Sequence, residues 1–429
     1  MSFLLLLVHQ VIYVLQPFDW PSIAYIPAIP ITVLILLASS GFLFLEKKLN
    51  IISTQMVLLA GFCIVVLMSG FFNGWLGGGY QQLEIFIFSA VLPFLLYSNL
   101  MVSITRQEFV GLVFLLYCLI MLSNGLSQFN SPEGIGWAGA QISQGTRITY
   151  LGIVNDPNDL AGYFLMCLPF ALYFAWFKKN IIVKAFGLFC AASIVFGIYL
   201  TNSRGGLLSG LFIALVYFFL HYGTFKTAVL GVFLSPVALF AFSRFRAIEL
   251  ESSAVGRTDA WYEGLQLLES NPLFGIGMGN FADEVGIVAH NSFVHIMAEL
   301  GIIGYGIWFS TITLSVYMTF HIMMKFRKTG TNGLNRSDAQ ALSRAVALNN
   351  TIFYSILGYM ATAFFLSRGY SFFTYIVCAF AVASYYRVVA IDQEYALIDI
   401  KSKLKSFAGY SFASIVFMYV TTNVVALIM

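Results

Sequence analysis

Residues 243–265 read S-R-F-R-A-I-E-L-E-S-S-A-V-G-R-T-D-A-W-Y-E-G-L, residues 271–281 read N-P-L-F-G-I-G-M-G-N-F, and residues 289–301 read A-H-N-S-F-V-H-I-M-A-E-L-G. Together they make the longest polar interruption in an otherwise apolar chain. Arg244, Arg246 and Arg257, several carboxylates and His290 fall between two hydrophobic runs. Charged groups gathered beside membrane spans mark the place where a membrane protein does its chemistry.

Working outward, 59% of the 429 residues are hydrophobic and 10% are charged. A soluble domain carries about 25% charged residues, so the chain reads as an integral membrane protein. Thirteen apolar runs can be drawn, at 3–16, 24–45, 51–70, 83–104, 108–126, 159–177, 181–201, 205–222, 227–243, 291–320, 345–366, 371–389 and 406–428. Most are near the length needed to cross a bilayer as a helix, and the period-2 alternation of a membrane barrel is absent. The expected fold is all-α: one polytopic membrane bundle over 1–429, with about 12–13 transmembrane helices. The main outer loop is expected at 244–290. The N-terminus lacks the basic flank and cleavage site of a signal peptide, and reads as the first anchor. The five cysteines all lie inside apolar runs and read as buried small hydrophobes. No spacing suggests a metal site, and no nucleic-acid partner is expected.

Orientation follows from the cations. With a cytoplasmic N-terminus, sixteen Lys and Arg fall inside and six outside, namely Arg147, Arg204, Arg244, Arg246, Arg257 and Arg368. All eleven lysines are inside. Removal of outer lysines by topology alone would account for part of this. An arginine-only outer face also suits a phosphate ligand, because the guanidinium fork grips it with two parallel hydrogen bonds.

Residues 199–210, Y-L-T-N-S-R-G-G-L-L-S-G, join two spans with almost no loop. Asn202, Ser203 and Arg204 sit at the turn, and Gly205 and Gly206 let the backbone fold tightly. The free amides of a helix start favour an anion there. Arg204 could instead be an interfacial snorkelling cation; its polar neighbours favour phosphate. At 155–162, Asp156 is a cap, Pro157 fits the first helical position, and Asp159 favours the positive helix start.

In the large loop, Thr258 is a candidate cap for a helix ending before Pro272. Asp259, Glu263, Gln266 and Ser270 share one face, and Trp261, Leu265 and Leu268 the other. That pattern predicts an amphipathic helix on the membrane interface. Arg257 at its start reads either as a phosphate contact or as a surface charge. The three glycines of 275–279 lack a preceding strand and form no dinucleotide fingerprint; they read as a flexible turn near a substrate. His290, Asn291 and Ser292 read as a helix start. A helix N-terminus disfavours imidazolium, so a neutral, proton-accepting His290 is expected, as a general base requires; a structural histidine is the alternative. His295 and Glu299 are i, i+4 and read as a structural pair. Arg368, in F-L-S-R-G-Y-S, is a third candidate phosphate contact and Arg147 a weaker fourth.

These motifs, in this order, resemble the O-antigen ligase and polymerase superfamily. The resemblance rests on T-N-S-R-G-G (201–206), G-R-T-D-A-W (256–261), N-P-L-F-G-I-G-M-G-N-F (271–281) and H-N-S-F (290–293). A-E-L-G-I-I-G (298–304) and L-S-R-G-Y-S (366–371) extend it. It covers about residues 150–375. It implies a metal-independent membrane glycosyltransferase without cofactor, in the bacterial inner membrane, with its active site at the periplasmic face. The donor would be a glycan on undecaprenyl diphosphate. The acceptor hydroxyl would belong to a lipid A core, a protein or another glycan. Carried over by motif, His290 would be the base and Arg204, Arg257 and Arg368 would hold the diphosphate. Asn202, Ser203, Asn291 and Arg147 are possible substrate contacts. A transporter or flippase of a lipid-linked oligosaccharide is the competing class; it predicts internal repeats and broken helices at the midplane, and no convincing repeat is visible.

Overall fold

The computed structural model describes residues 1–23, 30–244, 250–397 and 400–428. Arg246 and the first residues of the expected span 24–45 lie outside the described residues. The chain is a helical bundle: α1 (Ser2–Leu15), α2 (Ile31–Leu45), α3 (Thr54–Phe72), α4 (Leu76–Phe86), α5 (Leu92–Leu100), α6 (Ile104–Asn130), α7 (Pro157–Phe177), α8 (Ile181–Thr201), α9 (Arg204–Arg244), α10 (Leu250–Ser270), α11 (Phe281–Val285), α12 (Ser292–Thr329), α13 (Arg336–Ala363), α14 (Phe372–Ile391) and α15 (Ile400–Ile428). A π-helical turn, Ile87–Val91, joins α4 to α5 into one rod.

Among the described residues eight helices are long and apolar enough to cross a membrane, and α1 and α2 are shorter apolar helices. Every one of the thirteen apolar runs falls on a helix. The runs 205–222 and 227–243 share α9, which breaks at Gly223. Burial separates centre from rim. In the apolar stretches of α7 and α14, 78% of the residues are buried, against 11% in α9. A helix apolar on all sides belongs in the middle of such a bundle, and α7 and α14 form that middle.

The loop between α12 and α10 corrects two expectations. α12 is not continuous: Gly301 has φ 65° and ψ −168°, so the helix breaks there. A break inside a membrane helix frees backbone groups that need new partners. The glycine motif supplies them. Ile276 and Gly277 donate their amides to the Ala298 and Glu299 carbonyls at 3.0 and 2.9 Å, and the Ile302 amide reaches the Pro272 carbonyl at 2.8 Å. From α3, Ser69 Oγ donates to the Phe274 carbonyl at 2.6 Å, and Asn73 Nδ2 to the Gly275 carbonyl at 2.8 Å. A Cβ on Gly275 would sit 2.3 Å from the Glu299 carbonyl carbon. Residues 271–280 are therefore a fitted splint for the broken helix rather than a flexible turn.

The second correction concerns α10. Thr258 lies inside it, because the helix begins at Leu250. Its polar face is exposed as expected, but Leu265 and Leu268 are buried. The apolar side packs on α12 and α15, so protein rather than lipid covers it. The opposite end of the bundle is tied by Glu108, which meets Lys178 Nζ at 2.7 Å and the Arg344 guanidinium.

Candidate active site

Five segments converge at one end of the bundle: the start of α7, the α8–α9 turn, the second turn of α10, the start of α12, and the α13–α14 connection. Local chemistry fixes each one. Asp156 caps α7, accepting from the Asn158 amide at 2.8 Å, with Pro157 in the first turn. Asn158 then acts as a hub. Its Oδ1 accepts from Ser203 Oγ at 2.7 Å and from Arg147 Nη2 at 3.0 Å. Arg147 Nε also donates to the Thr201 carbonyl at 3.1 Å.

Asn202 ends α8 in the left-handed conformation, φ 51°, which asparagine tolerates better than most residues. Ser203 Oγ accepts from the Gly206 amide at 3.0 Å. Gly205 and Gly206 serve close packing instead of a tight turn. A Cβ on Gly205 would meet Phe365 Cβ at 2.9 Å, and one on Gly206 would meet Ala161 Cβ at 2.7 Å. The turn thus presses against α7 and the end of α13, leaving Arg204 half-buried at the first position of α9.

His290 does not begin α12. It stands one residue before the cap in the left-handed conformation, φ 49°. Asn291 is the cap: its Oδ1 accepts from the amides of Phe293 at 2.9 Å and Val294 at 3.2 Å. A backbone in that region costs a non-glycine residue of order 1–3 kcal/mol and persists only where its surroundings over-determine it. Two contacts do so. Trp261 Nε1 donates to the Ala289 carbonyl at 2.8 Å. On the other side, Ser292 Oγ donates to the Leu366 carbonyl and accepts from the Arg368 amide at 2.8 Å. Arg257 lies four residues before Trp261, on the same face of α10. The bond that anchors the histidine loop therefore also brings Arg257 beside it.

Charge follows this geometry. Burial lowers the pKa of His290 from its ordinary value, and the nearby Arg257 cation lowers it further; Asp156 opposes and Arg368 assists. The neutral imidazole is favoured, as expected, but desolvation and arginine are the causes. Burial likewise lowers Arg257, opposed by Asp156 and reinforced by the Arg204 cation. Arg204, Arg257, Arg368, Asp156 and His290 are thus linked by their fields into one cluster.

The site residues read from the sequence separate into two groups. Arg204, Arg257 and His290 come together with half-buried side chains. Ser203 and Asn291 are buried, with their oxygens used in internal bonds, and Arg147 braces the α7 and α8 ends. Arg368 is different again. Its fork holds Asp159, with Nε 2.6 Å from Oδ1 and Nη2 on Oδ2. Burial alone would lower its pKa, but the Asp159 carboxylate outweighs that and raises it. Asp159 is therefore a partner across the bundle, more than a residue at a helix start. His295 pairs with Glu299 at 3.1 Å, and Glu299 also accepts from the Phe281 amide at 3.1 Å. This pair supports the splint. Among the described residues no three His, Cys, Asp or Glu are grouped to hold a metal ion.

Sequence reasoning missed Asp156 as the counter-charge, Asn158 as the hub and Trp261 as the loop anchor. For Trp261 the signal was its i, i+4 spacing from Arg257.

Comparison with known proteins gives one match. Residues 186–309 fit the family model described as O-antigen ligase. That stretch runs from α8 into α12 and holds Arg204, Arg257 and His290, but neither Asp159 nor Arg368. No curated protein matches the chain.

Proposed function

Because the chain belongs to the O-antigen ligase superfamily, we propose that this membrane protein transfers a glycan from undecaprenyl diphosphate to an acceptor hydroxyl at the periplasmic face. The carrying observation is the cluster itself: two half-buried arginines and a histidine whose protonation their fields oppose.

The chemistry follows from charge. A sugar diphosphate is already activated, so the protein has to deprotonate an alcohol and stabilise the departing diphosphate. His290 takes the proton of the acceptor hydroxyl. The acceptor oxygen forms a bond to the anomeric carbon as the bond from that carbon to the phosphate oxygen breaks, inverting the configuration. Negative charge gathers on the leaving oxygen, where Arg204 and Arg257 balance it. No metal is required in this scheme, because the guanidinium pair supplies the positive charge. Arg368, whose fork is occupied by Asp159, contributes charge to the diphosphate site and holds Ser292, and through it His290, in place. Asn202 borders the same turn as Arg204.

The test is reconstitution in liposomes with a lipid-linked oligosaccharide and candidate acceptors. Arg204→Ala and Arg257→Ala should each lower kcat by about 10²–10³, the loss typical of one electrostatic donor. Inserted variants that turn over like the wild type would contradict the assignment.

A further inference from the structure

A cavity of about 310 Å³ opens among α1, α2, α4 and the π-helical turn, lined by His9, Tyr13, Thr32, Glu84, Phe88 and Ser89 among others. It adjoins the candidate active site. Tyr13 packs at 4.5 Å on Phe372, four residues beyond Arg368, and lies within reach of the Arg368 charge.

Three features of its wall are not explained by packing. His9 is 1% exposed, and its Nδ1 has no hydrogen-bond partner. Glu84 sits in the apolar rod Leu76–Leu100, yet its carboxylate makes no hydrogen bond or ion pair among the described residues. An ionisable group inside such a rod is a functional signal. The π-turn, a distortion common at functional sites, holds Phe88 and Ser89 on the same cavity.

A hydrocarbon chain lodged here would leave the Glu84 carboxylate and the His9 nitrogen without partners, and buried polar groups without partners are costly. A hydroxyl-rich ring satisfies both. Its hydroxyls can donate to Glu84 and bond His9 Nδ1, while the Tyr13 and Phe88 rings offer apolar faces to its C–H groups. Resting on the glycosyltransferase reading above, we infer that this cavity binds a sugar ring of one of the two substrates.

The ring could come from the donor glycan or from the acceptor, and the experiment separates them. Full-length protein in nanodiscs is assayed with donor and acceptor varied in turn, for wild type, Glu84→Gln, Thr32→Val and the cavity-filling Val33→Trp. Thermal stability confirms folding. The inference predicts a rise of about tenfold in KM for one substrate with kcat retained, the pattern of lost uniform binding. A rise for the donor identifies the donor's ring, and a rise for the acceptor identifies the acceptor's. In parallel, a lipid-free, phosphate-free oligosaccharide cut from the donor glycan or from the acceptor is titrated by calorimetry. Binding should weaken in Glu84→Gln. This arm needs no turnover, so it stands even if glycan transfer fails. Unchanged KM for both substrates in folded variants, or oligosaccharide binding indifferent to Glu84→Gln, would overturn the inference.

Discussion

Arg368 holds the buried carboxylate of Asp159 through two parallel hydrogen bonds, tying the α13–α14 connection to the start of α7. The two residues are 209 positions apart. The link matters for the active end because the Arg368 amide also donates to Ser292, two residues beyond His290. Breaking a buried ion pair by removing one partner costs about 3–5 kcal/mol. The Arg368 side chain is 36% exposed, so the lower end applies. Asp159→Asn should cost about 3 kcal/mol, read as a lower thermal midpoint in detergent, and should reduce transfer through displacement of His290. A variant as stable and active as the wild type would show that the pair is ornamental.

The pH dependence follows from the histidine. His290 acts as a neutral base, so turnover falls as pH drops through its pKa. Because that pKa is lowered, the acid limb of kcat/KM should lie below that of an ordinary histidine. Arg257→Gln removes a cation that lowers it, so the limb of the residual activity should move to higher pH. Asp156→Asn removes an anion that raises it, so the limb should move to lower pH. Shifts of the opposite sign would mean that another group is titrating.

The splint is testable by adding one methyl group. At Gly301 a Cβ would meet the Leu273 carbonyl carbon and oxygen at 2.5 Å each, at a positive φ. Gly301→Ala should destabilise by at least about 1–3 kcal/mol from backbone strain alone. Gly409→Ala, where nothing lies within 4 Å, is the control and should be neutral. Equal thermal midpoints for the two would argue against the docked loop.

Trp261→Phe removes the bond to the Ala289 carbonyl while keeping most of the ring. One neutral hydrogen bond contributes about 0.5–1.5 kcal/mol, so stability should change little. Loss of aim at His290 should lower kcat by about tenfold, since displacements of 1 Å can cost up to about 10²-fold. A kcat equal to the wild type's would show that the loop holds its shape without α10.

Much of this was legible before the coordinates. Apolar length marked the helices, since each must satisfy its own backbone hydrogen bonds in lipid. Capping chemistry marked Asp156–Pro157. Arg204, Arg257 and His290 stood out because a charge beside a span needs a reason. What stayed hidden depends on contacts between distant segments. Nothing local to Asp159 reveals Arg368, and nothing in G-I-G-M-G reveals a helix broken at Gly301. The helix around Arg257 was read correctly as amphipathic, yet periodicity cannot say whether lipid or α12 covers its apolar face.

The most direct test of the central claim is single-turnover transfer by reconstituted His290→Ala, with correct insertion verified. The account predicts that this variant still binds the lipid-linked donor but forms no glycan–acceptor product. Product formation at the wild-type rate would contradict it.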